Sequence, residues 1–115
     1  MSLRFYGLKS CDTCRAALKA LAAAGISPDV FDVRADGLPD ETILQLMDTH
    51  GADTVINRRS TTWRGLDAAA QTSDPVALIK ANPTLIKRPV IIKEDGTSYI
   101  GWNAEVGAAL GVAAG

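Results

Sequence analysis

Histidine and cysteine are both scarce in this sequence, which has one His and two Cys among 115 residues. A closed zinc site needs four ligands, usually supplied as pairs of Cys or His residues. The single histidine, His50, lies beside Gly51 at the predicted end of a helix, where a cation is favourable, and we interpret it as structural. The sequence therefore predicts no metal site, although its two cysteines have the C-x-x-C spacing that zinc sites also use.

The sequence also lacks an excess of charge and any long apolar run. Its formal net charge is −1, which gives no basic surface for nucleic acid or an anionic membrane. No run approaches the roughly 18 apolar residues of a membrane span, and Arg4 and Lys9 interrupt the apolar stretch near the start, which argues against a signal peptide. We expect a cytoplasmic protein with no nucleic-acid or membrane partner. In a reducing compartment, a close cysteine pair is more often catalytic or redox-active than structural.

The two cysteines, Cys11 and Cys14, stand between a predicted strand and a predicted helix. Residues 3–6 (LRFY) form a short apolar run that ends at Gly7. Residues 13–24 are rich in alanine, which has the highest helix propensity. Cys11 is therefore expected at the N-terminus of the helix, where unpaired N–H groups and the helix dipole favour a thiolate.

The rest of the first half predicts a β-α-β unit followed by helices. A strand at residues 30–33 should pair in parallel with the first strand. Pro39 is predicted at the first position of a helix that ends at Gly51. Residues 57–62 have no strong pattern, and residues 63–70 predict one short helix.

The second half predicts another helix, a β-hairpin and a last helix. Asp74 and Asn103 are the predicted caps of the two helices, and residues 94–96 (EDG) are the predicted hairpin turn. We predict a single domain over residues 1–115, in which a helical insert of roughly residues 38–86 separates βαβ from ββα.

Three segments carry a resemblance to a known family: residues 7–14 (GLKSCDTC), 57–64 (NRRSTTWR) and 86–90 (IKRPV). With the βαβ and ββα order and the helical insert, the sequence resembles the ArsC/Spx family, and within it the YffB-like branch. The resemblance implies an α/β thioredoxin-like fold with a mixed four-stranded sheet and an insert of the ArsC type. It also implies a thiol reductase, often with glutathione as co-substrate and with no bound cofactor, and a cis peptide bond before Pro89.

The resemblance also implies roles for individual residues. Cys11 is at the position of the family's nucleophile, and Arg59 and Arg88 fit the positions of arginines that stabilise an anionic substrate. Pro89 is expected to contact the substrate, and Lys9, a cation beside the thiolate, is expected to help bind it. The family's arsenate reductases carry a third arginine where this sequence reads Ile-Gly-Trp at residues 100–102, which argues against arsenate as the substrate.

Alternatives remain for several of these residues. Cys14 either resolves a sulfenate or mixed disulfide at Cys11 or is a buried, inert residue. Arg59 and Arg88 either bind an anion or form surface ion pairs. Trp102 either packs in the core or lines the rim of the site.

Two functions fit the sequence. The first is a thiol-dependent reductase that acts on a small anionic or disulfide substrate, with glutathione or glutaredoxin as electron donor and Cys11 as the nucleophile. The second is a redox switch similar to the Spx-like regulators, in which a Cys11–Cys14 disulfide changes a surface that engages a partner such as RNA polymerase.

Overall fold

Four short strands form one mixed sheet in the computed structural model, which describes residues 3–112 of the predicted 1–115 domain. The sheet order is β2-β1-β3-β4, with β1 parallel to β2 and antiparallel to β3, and β3 antiparallel to β4. The strands are β1 (Leu3–Gly7), β2 (Asp29–Asp32), β3 (Val90–Lys93) and β4 (Ser98–Ile100). This arrangement confirms the predicted βαβ and ββα halves and the mixed four-stranded sheet.

The described residues divide into two compact units. The first consists of the residues up to Asp32 together with those from Arg88 onwards, and it contains the whole sheet. The second is Val33–Lys87. The predicted helical insert, residues 38–86, lies inside the second unit.

The core of the first unit is built on one face of the sheet. Helix α1 (Asp12–Ala23) buries Cys14, Ala17 and Leu21, whose spacing of three and four residues places them on one side of the helix. They join apolar residues of the strands and of the last helix in one cluster of buried side chains: Leu3, Phe5, Cys14, Ala17, Leu21, Ile91 and Val106. Gly25 lies two residues beyond the last residue of α1, and its positive φ of 78° suits glycine just past the end of a helix.

The second unit is a set of short helices. They are α2 (Asp40–His50), α3 (Ala52–Val55), α4 (Thr61–Arg64), α5 (Ala68–Gln71), α6 (Pro75–Ala81) and a 3-10 turn (Pro83–Leu85). Two extended stretches meet in a bridge between Ile56 and Ile86. The N–H of Asn57 donates to the Leu85 carbonyl at 2.7 Å, and the N–H of Lys87 donates to the Val55 carbonyl at 2.7 Å.

The predicted caps are present, and two details of the insert differ from the prediction. The Asp74 side chain accepts from the N–H of Ala77 at 3.2 Å, as expected for a helix cap. Pro39 was predicted inside its helix but is its N-cap, because the helix begins at Asp40. The single helix predicted over residues 63–70 is wrong, since Gly65 ends α4 and Asp67 caps a separate helix, α5.

None of the helices within residues 3–112 is long and apolar enough to cross a bilayer.

The last helix, α7 (Ala104–Ala109), follows β4 and is held at its start by Asn103. The Asn103 side chain accepts a hydrogen bond from the N–H of Val106 at 2.9 Å. The helix has only six residues, so a cap is a large share of its local stabilisation.

We predict that Asn103→Ala lowers the free energy of unfolding by about 1 kcal/mol, because the Val106 N–H loses its acceptor. Asn103→Asp keeps the acceptor oxygen and is the matched control, with a loss of only a few tenths of a kcal/mol. Urea unfolding of both variants measures the difference. Equal losses for alanine and aspartate would show that the cap is not the cause.

Candidate active site

The site is built on the turn that joins β1 to α1. Cys11 is the N-cap of α1 and has an extended backbone, with φ −87° and ψ 119°. Its N–H donates to the Leu8 carbonyl at 3.1 Å, and its carbonyl accepts from the N–H of Arg15 at 3.0 Å. These bonds fix the backbone of Cys11, whose half-buried side chain stands at the positive end of the helix dipole.

The pKa of Cys11 is lowered from its ordinary value. Partial burial acts to raise the pKa, since it disfavours the charged form. The N–H and thiol of Cys14 and the guanidinium of Arg88 outweigh burial, because each of them favours the nearby thiolate. The Cys11 side chain makes no capping hydrogen bond with the first turn of α1.

Cys14 is in the opposite environment. Only 2% of it is exposed, and it packs in the buried cluster with Phe5, Leu21 and Ile91. The pKa of Cys14 is raised to about 11, chiefly by burial and also by the neighbouring Cys11, against a hydrogen bond from the Leu8 backbone that acts to lower it. The two cysteines are separate thiols, and the site thus combines one activated thiol with one that holds its proton.

The position of Cys14 depends on a glycine in β1. A Cβ atom added to Gly7 would lie 2.8 Å from the Cys14 Sγ and 2.9 Å from a ring carbon of Phe5. Both distances are shorter than nonbonded contacts allow, so only glycine permits this approach of helix and strand. In the sequence, Gly7 marks the end of a strand and opens the segment 7–14, and neither feature indicates this contact. Gly7 and Cys14 are seven residues apart, and this spacing does not indicate a contact unless the fold is known.

Arg88 and Pro89 directly precede β3, in the same unit as the cysteines. The peptide bond between them is cis, as the resemblance implied. The Arg88 guanidinium is near enough to Cys11 to lower the pKa of that thiol, and its Nε atom is buried. Pro89 is fully buried, and its carbonyl accepts from the N–H of Gly101 at 2.8 Å. The structure therefore brings Arg88 to the thiol, while contact of Pro89 with a substrate stays a prediction.

The other charged residues of the turn are exposed. Lys9 lies in the turn just before Cys11, where its role in substrate binding stays a prediction. Arg15 forms an ion pair with Asp12 on the surface of α1. The charged side chain that lowers the pKa of Cys11 is therefore that of Arg88, which is distant in sequence.

The arginines of the second unit have different surroundings. Arg58 forms an ion pair with Asp53, and its guanidinium carbon lies 5.4 Å from the centre of the Trp63 ring. Arg59 is exposed, and its backbone N–H donates to the Asn57 side chain at 3.1 Å. A role of Arg59 beside Cys11 stays a prediction.

Trp102 packs against the core of the first unit. It is half-buried against the cluster that contains Cys14, and a Cβ atom at Gly107 would lie 3.7 Å from its ring. Packing is therefore the better supported of its two predicted roles.

A metal has no evident place in the described part of the chain. Residues 3–112 contain no group of three or more His, Cys, Asp or Glu side chains that could hold one. His50 lies in the last turn of α2, the position that its structural interpretation requires.

The fold and the two neighbouring thiols of Cys11 and Cys14 define a thioredoxin-like protein with a helical insert. The sequence profile of the ArsC family matches residues 6–110. The chain belongs to the ArsC family.

Individual relatives agree with this assignment. An uncharacterised protein of Haemophilus influenzae is 43% identical over 102 residues, which cover 85% of this chain and 89% of that protein. The solved structure of a YffB protein is 33% identical, with a TM-score of 0.85, and the alignment covers 93% of this chain and 96% of that one. The structure of an arsenate reductase-related protein from Brucella melitensis is 32% identical, with a TM-score of 0.73 and coverage of 96% and 95%.

We predict that Arg88→Gln raises the pKa of Cys11, because the thiolate loses both a positive charge and a hydrogen-bond donor. Alkylation of Cys11 by iodoacetamide, followed as a function of pH, reports this pKa. At neutral pH, the rate should fall roughly tenfold, as expected for the loss of a hydrogen bond to a charged group.

Arg15→Gln is the matched control, since Arg15 is in the same turn but is paired with Asp12. We expect it to leave the pH profile almost unchanged. Equal shifts in the two variants would mean that net charge, and not the Arg88 contact, sets the pKa of Cys11.

Proposed function

We propose that the protein is a thiol-dependent reductase that uses glutathione, with Cys11 as the nucleophile. The observation that supports this most directly is the lowered pKa of Cys11, at the start of a helix and beside the Arg88 guanidinium. The thiolate is the reactive form of cysteine, and partial exposure leaves it open to a substrate. Membership of the ArsC family, whose members include proteins described as arsenate reductase-related, supports the same class of reaction.

The proposed reaction with a glutathione mixed disulfide has two exchange steps. The Cys11 thiolate attacks the glutathione sulfur, a Cys11–glutathione bond forms, and the substrate leaves as a thiolate that takes a proton from water. A second glutathione, as the thiolate, then attacks the glutathione sulfur bound to Cys11. Oxidised glutathione leaves and the Cys11 thiolate is restored. In sum, the substrate sulfur is reduced and two glutathiones are joined by oxidation.

The substrate is proposed to be a small anion or a disulfide of this kind. Arg88 lies at the thiol and can hold a carboxylate or oxyanion through its planar fork of donors. Lys9, Pro89 and Arg59 are proposed to complete the binding site, on the strength of the family resemblance. Glutathione itself carries carboxylates, so one set of cationic residues could hold either the substrate or the donor.

Arsenate is a weaker candidate than a disulfide. A possible arsenate reductase from Streptococcus mutans is 27% identical to this chain, with a TM-score of 0.76. This chain has Ile100, Gly101 and Trp102 in place of the third arginine that the resemblance implies for arsenate reductases. An oxyanion would therefore be held by fewer cations here.

The donor and the compartment belong to the same proposal. Glutathione, or glutaredoxin in its place, is the proposed electron donor, and the cytoplasm, which keeps thiols reduced, is the proposed location. No bound cofactor is required, since both exchange steps use sulfur atoms alone.

We predict that oxidised glutathione adds one glutathionyl group to the protein at Cys11. Mass spectrometry of the intact protein and of its peptides measures the site. Cys11→Ser should take up none and should lose reductase turnover by at least about 100-fold, because the nucleophile is absent. Cys14→Ser should still be modified at Cys11.

Two results would contradict the reductase. One is an absence of turnover with every thiol donor, together with conversion of the pair into an internal disulfide. That result, with capture of a polymerase by the oxidised form only, would support the redox switch. The other is glutathione uptake at Cys14 in preference to Cys11.

We predict that Arg59→Gln raises the KM for an anionic substrate roughly tenfold with a smaller change in kcat, because a charge-assisted hydrogen bond to the substrate is lost. Steady-state kinetics measure both constants. Arg58→Gln is the control, as Arg58 is adjacent in sequence but is paired with Asp53 and lies over Trp63. A similar KM for the two variants would remove Arg59 from the substrate site.

A further inference from the structure

A cavity lies at the end of the sheet that is remote from Cys11. Its volume is about 500 Å³, a size typical of small-molecule pockets. Leu3, the first residue of β1, lines this cavity, whereas Gly7, the last residue of β1, precedes the cysteine turn. The two ends of a strand of this length are about 13 Å apart. The cavity is therefore separate from the candidate active site.

The walls of the cavity come from four segments of the first unit. Two of them are facing strand ends, where Leu3 of β1 is paired with Lys93 of β3. The other two are residues 25–27, which follow α1, and residues 109–111 at the end of α7. The cavity thus lies where two helices end beside the same pair of strands.

Both helices end in a way that leaves space in the cavity. Gly25 and Gly111 have positive φ angles of 78° and 83°, as glycine has just past the end of a helix. The N–H groups of Ile26 and Val112 then donate to helix carbonyls five residues earlier, at 2.9 and 2.8 Å. A Cβ atom at either glycine would meet no other atom within 4 Å. Neither glycine therefore carries a side chain that would narrow the cavity.

Lys93 brings a positive charge into the wall. Ile91 is buried in the core cluster, and Lys93, two residues further along β3, has its side chain on the same face of the sheet. Lys93 is half-buried, and none of the ion pairs within residues 3–112 includes it. The exposed Asp95 interacts with it only at longer range. Among the described lining residues, Lys93 alone is charged, so it is the group that would hold an anion.

We propose that this cavity binds a free, small amphipathic carboxylate, whose charged group pairs with the Lys93 ammonium. The apolar part of the ligand would contact Leu3, Ile26 and Leu110, which line the cavity. These side chains are buried or half-buried, so they offer a concave apolar surface. The Ser27 hydroxyl, also in the wall, can donate a second hydrogen bond to the carboxylate. The site does not depend on the proposed reductase reaction.

The same surroundings favour a free molecule over a membrane lipid. The large apolar side chains that are exposed within residues 3–112 are Val30 and Leu44, and neither lines the cavity. Binding to an anionic bilayer uses protruding apolar side chains or several cations together. One half-buried lysine in a concave wall suits a single carboxylate with an enclosed apolar group.

The test titrates the native protein with decanoate. Isothermal titration calorimetry measures the Kd, and amide NMR shifts locate the site, which we expect at residues 25–27 and 109–111. Lys93→Gln should raise the Kd for decanoate roughly tenfold, as expected for the loss of a hydrogen bond to a charged group. The neutral 1-decanol has the same chain, so we expect its Kd to be the same in the native protein and in Lys93→Gln.

Three variants serve as controls. Arg88→Gln and Lys80→Gln each remove a cation elsewhere in the chain, and we expect both to leave the Kd for decanoate unchanged. Ala109→Phe places a ring in the wall of the cavity, since Ala109 lines it, and should weaken the binding of both decanoate and 1-decanol. Circular dichroism checks the folding of each variant.

Several results would overturn the proposal. They are no binding of decanoate by the native protein, an equal Kd in the native protein and a folded Lys93→Gln, and binding to phosphatidylglycerol vesicles without binding of decanoate. Weaker decanoate binding in Arg88→Gln, with amide shifts around Cys11, would place the anion at the candidate active site instead. Failure of the proposed function is a separate result, since absence of glutathione uptake at Cys11 would leave decanoate binding unchanged.

Discussion

The contact between the Cys14 sulfur and Gly7 is the constraint on which the site depends. It sets how closely the first turn of α1 approaches the end of β1, because any side chain at residue 7 would occupy the place of the sulfur. Cys11 is the N-cap of the same helix, and the N–H and thiol of Cys14 favour its thiolate. The chemistry of Cys11 is thus linked to the packing of Cys14 against β1.

The same short turn gives its two thiols opposite properties. Cys11 is half-buried and surrounded by donors, whereas Cys14 is enclosed by apolar side chains. Their pKa values move apart, downward for Cys11 and upward to about 11 for Cys14. A C-x-x-C spacing does not by itself define which sulfur reacts or whether both do. Here Cys11 is the sulfur expected to react, because Cys14 is buried in the core and because the Arg88 guanidinium, which is remote in sequence, lowers the pKa of Cys11.

Patterns that are local in the sequence predicted most of the fold. The alternation of strands and helices gave the βαβ unit and the β-hairpin, and the caps Asp74 and Asn103 were correct because capping depends on a few neighbouring residues. The insert was harder, since helices of four residues have almost no periodicity, and a break at Gly65 divided a segment that looked continuous. In the site, the helix-terminal position of Cys11 followed from local signals. The placement of Arg88 came only from the resemblance, and the contact of Gly7 with Cys14 could not be predicted because it joins two elements in space.

The order of the strands also makes the entropic cost of loop closure differ between the strand pairs. The partners of β2 and β4 are close in sequence, but the pairing of β1 with β3 brings Leu3 opposite Lys93 and so encloses the whole of the second unit. The entropy of closing a loop grows with the logarithm of its length, so this central pairing carries the largest closure term in the sheet. Any structure already formed between residues 33 and 87 shortens the effective loop. Structure formed early in the insert would therefore reduce the entropic cost of pairing β1 with β3.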